Sequence, residues 1–139
     1  MIFAGVNYWS ILAAAVAGFL FGGLYYGLLS KHWLAAIGKS MEEVQKTGMA
    51  RPMLVSALGL LVMAWVLAGI VGHLGPGQVT LRNGIITGAL CWLGFVATTI
   101  ATNHAYGGGK PALTLIDSAH WLGVLLIQGA VIGAMGVNA

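Results

Sequence analysis

MLVSALGLLVMAWVLAGIVG, residues 53–72, runs for twenty positions without a charged side chain. At 1.5 Å per residue a helix of that length reaches about 30 Å, the thickness of a bilayer's hydrocarbon core. Backbone N–H and C=O groups in lipid must bond within the segment or around a closed barrel. The run is too long for a barrel strand and lacks period-two alternation, so it predicts a membrane-crossing helix.

Three further apolar runs flank it, at about 7–30, 84–105 and 111–137. The composition agrees: 59% of the 139 residues are hydrophobic and 6% are charged, against roughly a quarter charged in a soluble domain. The fold class is therefore an all-α membrane protein, a bundle of four transmembrane helices forming one domain over residues 1–139. No Lys or Arg precedes Lys31, so the first run lacks the basic start of a cleaved signal and reads as a retained helix. The single cysteine, Cys91, allows no intrachain disulfide and reads as a small buried residue.

The connections set a direction. Lys31, Lys39, Lys46 and Arg51 fall in the first and Lys110 in the third, leaving Arg82 alone in the second. By the positive-inside rule the first and third lie in the cytoplasm and both termini outside. The net charge of +3 then faces anionic lipid head groups, and nothing points to nucleic acid. Within KHWLAAIGKSMEEVQKTGMARP, residues 31–52, apolar residues recur at helical spacing, giving a short amphipathic cytoplasmic segment. Ser40 with Glu43 three residues on has the form of a capping box that starts a new helix. The second and third connections, GHLGPGQVTLRN and YGGGKP, are short hairpins, with Pro111 suited to a first helical turn.

Lipid offers little drive for helix association, so close packing through small residues must supply it. Gly18 and Gly22, Gly84 and Gly88, and Gly129 and Gly133 make GxxxG pairs, as do Gly23 and Gly27. They serve either packing within the bundle or contact between subunits. Trp65, Trp92 and Trp121 lie well inside their helices and fill gaps or meet another subunit. Asn7, Gly18 and Phe19 match Asn83, Gly94 and Phe95, each 76 residues apart, as a parallel two-helix repeat would.

Ionisable groups inside a membrane are costly and are functional candidates for that reason. Asp117 and His120 lie roughly 9 Å and 13 Å below the start of the fourth helix. With Val124 and Gln128 they form one stripe. On the third helix Thr87, Cys91, Gly94, Thr98 and Thr102 form another, ending at Asn103 and His104. Facing each other, the two would enclose a polar interior whose cytoplasmic end approaches Tyr25, Tyr26 and His32. That interior either fixes helix register or holds a proton, an ion or a small polar ligand. No phosphate loop, nucleophile elbow, metalloprotease helix or carboxylate pair is present, so no catalytic residue is assigned. The four histidines do not share one depth, so no metal and no cofactor is expected.

NYWSILAAAVAGFLFGGLYYGLLSKHWLAAIGKS and GALCWLGFVATTIATNHAYGGGKPALTLIDSAHWLGVLLIQGAVIGAM resemble the bacterial membrane family catalogued as domain of unknown function 1761. The resemblance rests on Tyr25 and Tyr26 ahead of Trp33, on the Gly94–Phe95 pair, and on Asp117 followed by Trp121. At the position of His120 the family often has an aromatic residue. The resemblance implies four spans and a bacterial inner membrane, and no activity. The functional expectation is a non-catalytic membrane component that forms a homo-oligomer or joins a larger complex, with a channel or carrier for protons, ions or small molecules as the alternative.

Overall fold

A computed structural model of the chain describes residues 5–137. The first span is α1, Tyr8–Leu28; α2, Ser30–Ile37, and α3, Met41–Lys46, come after it, and α4, Ala50–Gly72, is the second span. The third is continuous from Leu81 to Tyr106 but is built in three parts: α5, Leu81–Cys91, a π-helical segment, Trp92–Ala97, and α6, Thr98–Tyr106. The last is α7, Pro111–Met135. Among the described residues these four helices are long and apolar enough to cross a membrane.

Local chemistry explains where the helices begin and end. Asn7 caps α1, its side chain accepting from the N–H groups of Trp9 and Ser10. Gly38 ends α2 at φ +69°, a conformation glycine adopts without steric cost. The second span starts at Ala50, earlier than residue 53, because Pro52 falls in its first turn, where the missing N–H costs nothing. Pro111 opens α7 in the same way.

The capping box forms as its spacing implies: Ser40 N–H donates to Glu43 Oε2 at 2.7 Å and Glu43 N–H donates to Ser40 Oγ at 3.2 Å. The first of these bonds, to the Ser40 backbone, is the main reason the Glu43 carboxyl is held below its ordinary range. A carboxyl depressed in the folded state stabilises it above the ordinary carboxylate range, and the contribution is lost as pH falls through the folded value. Protection of the Glu43 and Val44 amides, their exchange rate taken relative to the intrinsic rate at each pH, is therefore expected to fall on acidification, and Glu43→Gln is expected to flatten that response.

α7 sits in the middle of the bundle. It packs against α5 on one side and α1 on the other, with a lesser contact to α4, while α1 also packs on α4. The buried apolar core, including Ile11, Ala14, Ala15, Ala64, Leu67, Val71, Leu125 and Ile132, lies between α1, α4 and α7. Small residues hold it close: Ala14 and Ala64 are fully buried.

Three of the four glycine pairs are used within the chain. A Cβ on Gly84 would overlap the Gly129 carbonyl, and one on Gly129 would overlap that of Gly84. Gly88 meets the Leu125 carbonyl and Gly133 that of Thr80 in the same way, so α5 and α7 touch backbone to backbone. Gly18 makes room for Leu60 and Gln128, and Gly22 for the His120 ring. Gly23 and Gly27 face open space.

The matched positions of the apparent repeat are not equivalent in structure. Asn7 is a cap, whereas Asn83 lies inside α5, which Thr80 caps, and binds Gln78. Gly18 is packed and Gly94 is open.

Candidate functional site

One end of the bundle carries Lys31, Lys39, Lys46, Arg51 and Lys110 and is its basic end; there α1, α6 and α7 bring polar side chains together. Tyr26, near the close of α1, donates its hydroxyl to Asp117 Oδ1 at 2.7 Å. Its neighbour Tyr25 donates to the Ile116 carbonyl, also at 2.7 Å. Asp117 Oδ2 lies 3.7 Å from His104 Nε2, too long for a hydrogen bond but within ion-pair reach of a protonated ring. His104 Nδ1 is 3.0 Å from Thr114 Oγ1. Asp117 and His104 keep 21% and 24% of their side-chain surface open, so the group borders the outside.

The glycine turn between α6 and α7 makes this convergence possible. Gly107 and Gly109 N–H groups return to the carbonyls of Asn103 and His104, and Gly108 takes φ +67°. That closes α6 and sets α7 beside it, so Thr114 and Asp117, one turn apart, both face His104. Lys110 Nζ donates to the Ala35 carbonyl at 3.1 Å, tying the turn to α2.

His120 lies one turn deeper and is 7% exposed. Its ring is surrounded by Tyr26 and Trp121, each 4.8 Å away between centroids, Tyr25 at 5.5 Å and Phe21, stacked, at 6.0 Å. Its Nδ1 is buried without a hydrogen-bond partner. Gln128, two turns further in and fully buried, donates to the Leu60 carbonyl at 3.0 Å, while its Oε1 has no partner. Since the carboxamide is only half satisfied, Gln128→Met is expected to change stability by less than about 1 kcal/mol. Gln128→Ala, which leaves a void, is expected to cost about 2 kcal/mol or more in reversible unfolding from detergent.

The interior expected between two facing stripes is not what the chain builds. The Asp117, His120 and Gln128 face of α7 turns toward α1 and its glycines. On the third span, Thr87 is buried and Cys91 half-buried, but Gly94, Thr98, Thr102 and Asn103 are exposed. The cause is the π-helical segment, which adds a residue to the turn and rotates the remainder of the span by about 100°. The inward positions become Gly84, Gly88, Trp92, Val96, Ile100 and His104, a steady spacing of four. Trp92 pins the segment by donating its indole N–H to the Ser118 carbonyl at 2.8 Å. Thr98 and Thr102 donate to carbonyls of their own helix, at Gly94 and Thr98. With Thr99 and Asn103 they line a shallow outer depression of about 230 Å³.

Tyr25, Tyr26, His104, Asp117 and His120 are therefore brought together; Gln128 stands apart in the core, and Thr98, Thr102 and Asn103 lie outside. Trp92, read from the sequence as a gap-filling residue, belongs to the same region, as do Thr114 and the contact of Phe21 with Gly123, which carried no signal strong enough to single them out. Among the described residues no three His, Cys, Asp or Glu side chains converge as metal ligands.

At the opposite end, a half-open hollow of about 410 Å³ lies between the start of α1, the α4–α5 connection and the end of α7. Asn7, Ser10, His73 and Ile132 are among its walls. No curated protein and no solved structure matches the chain. A family model described as protein of unknown function (DUF1761) matches residues 9–133, and the chain belongs to that family.

Proposed function

We propose that this chain is a non-catalytic component of the cell inner membrane that works as a homo-oligomer, a second copy docking on the outer face of the third span. The observation that carries the reading is the Thr98, Thr99, Thr102 and Asn103 patch, exposed on a helix that α7 alone holds firmly. The Asn103 carboxamide has no partner among the described residues, and it carries both donors and an acceptor, so two copies can satisfy each other. Polar side chains of this kind join helices in lipid, where hydrocarbon offers them nothing. In this reading the basic end faces the cytoplasm and its cations meet anionic head groups.

The test uses the lone cysteine. In a Cys91→Ala background, Thr98→Cys or Thr102→Cys is expected to give a disulfide-linked dimer in native membranes, whereas Gly23→Cys on the open face of α1 is not. Equal linking at all three positions, or single-step photobleaching of labelled protein in nanodiscs, would sink the reading.

A carrier for protons, ions or small molecules is the second reading. It is favoured by the polar group at the basic end together with the hollow at the other. Proteoliposomes showing no flux across protons, monovalent ions and small amphiphiles would remove it.

A further inference from the structure

A side chain that is more than nine-tenths buried and has an unpartnered nitrogen is expensive: leaving such a group unsatisfied costs about 1–3 kcal/mol. His120 is that side chain, and its setting is specific. Four aromatic rings lie at or within about 6 Å of its centroid, the range over which ring faces attract a cation. One helical turn before it stands Asp117, on a neighbouring position of the same helix surface. Gly22 lets the Nε2 edge of the ring pack directly against α1: a Cβ there would sit 2.9 Å from that atom. The ring therefore has electron-rich walls and an anion one turn away.

We propose that His120 is a proton-binding site, with Asp117 as the carboxylate that receives the protonated ring. In the neutral form the imidazole lies in the aromatic box and Asp117 accepts from Tyr26. The proton comes from water at the basic end, where the Asp117 and His104 side chains are partly open. It adds to the free ring nitrogen, so that both nitrogens become N–H donors. The Nδ1–H then turns toward Asp117, and the Tyr26 hydroxyl gives up Oδ1. Release reverses these steps, and no other bond is made or broken.

The groups that bear on this titration come from every element packed on α7. α1 contributes Tyr25 and Tyr26, and α6 contributes His104 through Asp117. α2 carries Lys31 and His32, both exposed, and α4 carries Arg51, exposed in its first turn. α5 carries Arg82 at the far end and Cys91, half-buried. Proton binding at His120 needs a single chain only and stands whether or not copies associate.

The experiment is solid-state NMR of the full chain with ¹⁵N-labelled histidine in phosphatidylcholine–phosphatidylglycerol bilayers, its four histidines assigned by single His→Gln variants. The spectra are taken from about pH 8 to about pH 5, the range over which histidine ordinarily changes charge. The expected result is one neutral His120 tautomer at the upper limit and a doubly protonated ring at the lower. Asp117→Asn is expected to leave His120 neutral at the lower limit. Tyr26→Phe, which frees the carboxylate, is expected to show a larger protonated fraction than the parent chain at intermediate pH. His120 remaining neutral throughout would overturn the proposal, as would a titration indifferent to Asp117→Asn. If Asp117→Asn does not fold, Tyr26→Phe decides alone, and a titration superimposable on the parent's overturns the proposal.

Discussion

Gly84→Ala and Gly129→Ala are each expected to destabilise the bundle by about 3 kcal/mol, at the upper end of what overpacking costs. The added methyl in either case meets a backbone carbonyl of the partner helix, which has no rotamer to yield. The helices must separate, and in lipid the dispersion contact they lose is the main force that joined them. Gly23→Ala and Gly27→Ala, in a motif of the same spacing, are expected to be neutral or to stabilise by up to about 1 kcal/mol, because the methyl meets open space and alanine is the better helix former. Reversible unfolding in mixed micelles measures all four. Equal losses at both pairs would mean that the α5–α7 contact is not the one that holds the fold.

The second large effect is expected at the hydrogen bond between Tyr26 and Asp117. A bond from a neutral hydroxyl to a carboxylate contributes about 1.5–3 kcal/mol, and this one joins residues 91 positions apart in sequence. Asp117→Leu leaves the Tyr26 hydroxyl without its acceptor and is expected to cost about 2 kcal/mol. Tyr26→Phe removes the donor and is expected to cost less, since the carboxylate keeps access to water. A double-mutant cycle between the two is expected to return a coupling of about 1–2 kcal/mol. A coupling near zero would show that the bond is not formed in the membrane.

Much of this architecture can be read from the chain. Charge-free runs of twenty residues or more have few ways to exist other than as spanning helices, and the caps at Asn7, Ser40 and Gly38 are local devices with local signals. The meeting of Asp117 with Tyr26 was within reach of wheels and depth, because both lie near the same end of their helices. The third span was not. A wheel drawn at 100° per residue carries Thr87 and Cys91 forward to Thr98 and Thr102 on one face, and a single extra residue in the turn at Trp92–Ala97 breaks that count. The inward spacing of four from Gly84 to His104 was the available sign, and it conflicts with an uninterrupted α-helix only by a drift that one or two turns do not reveal. Glycine pairs are ambiguous for a different reason: Gly84 and Gly23 carry the same motif, and only the partner helix decides which is filled.

The central place of α7 bears on how the protein is made. A ribosome delivers α1 and α4 first, and these two can pair as they enter the bilayer because they pack on each other in the finished bundle. The third span then has little to lean on until the final helix emerges. Its hydroxyl-bearing outer side and its glycine-lined inner side both face lipid during that interval. A translation pause or a stop codon before Pro111 would therefore leave three spans inserted with their principal contact missing, a state that membrane quality control is equipped to recognise.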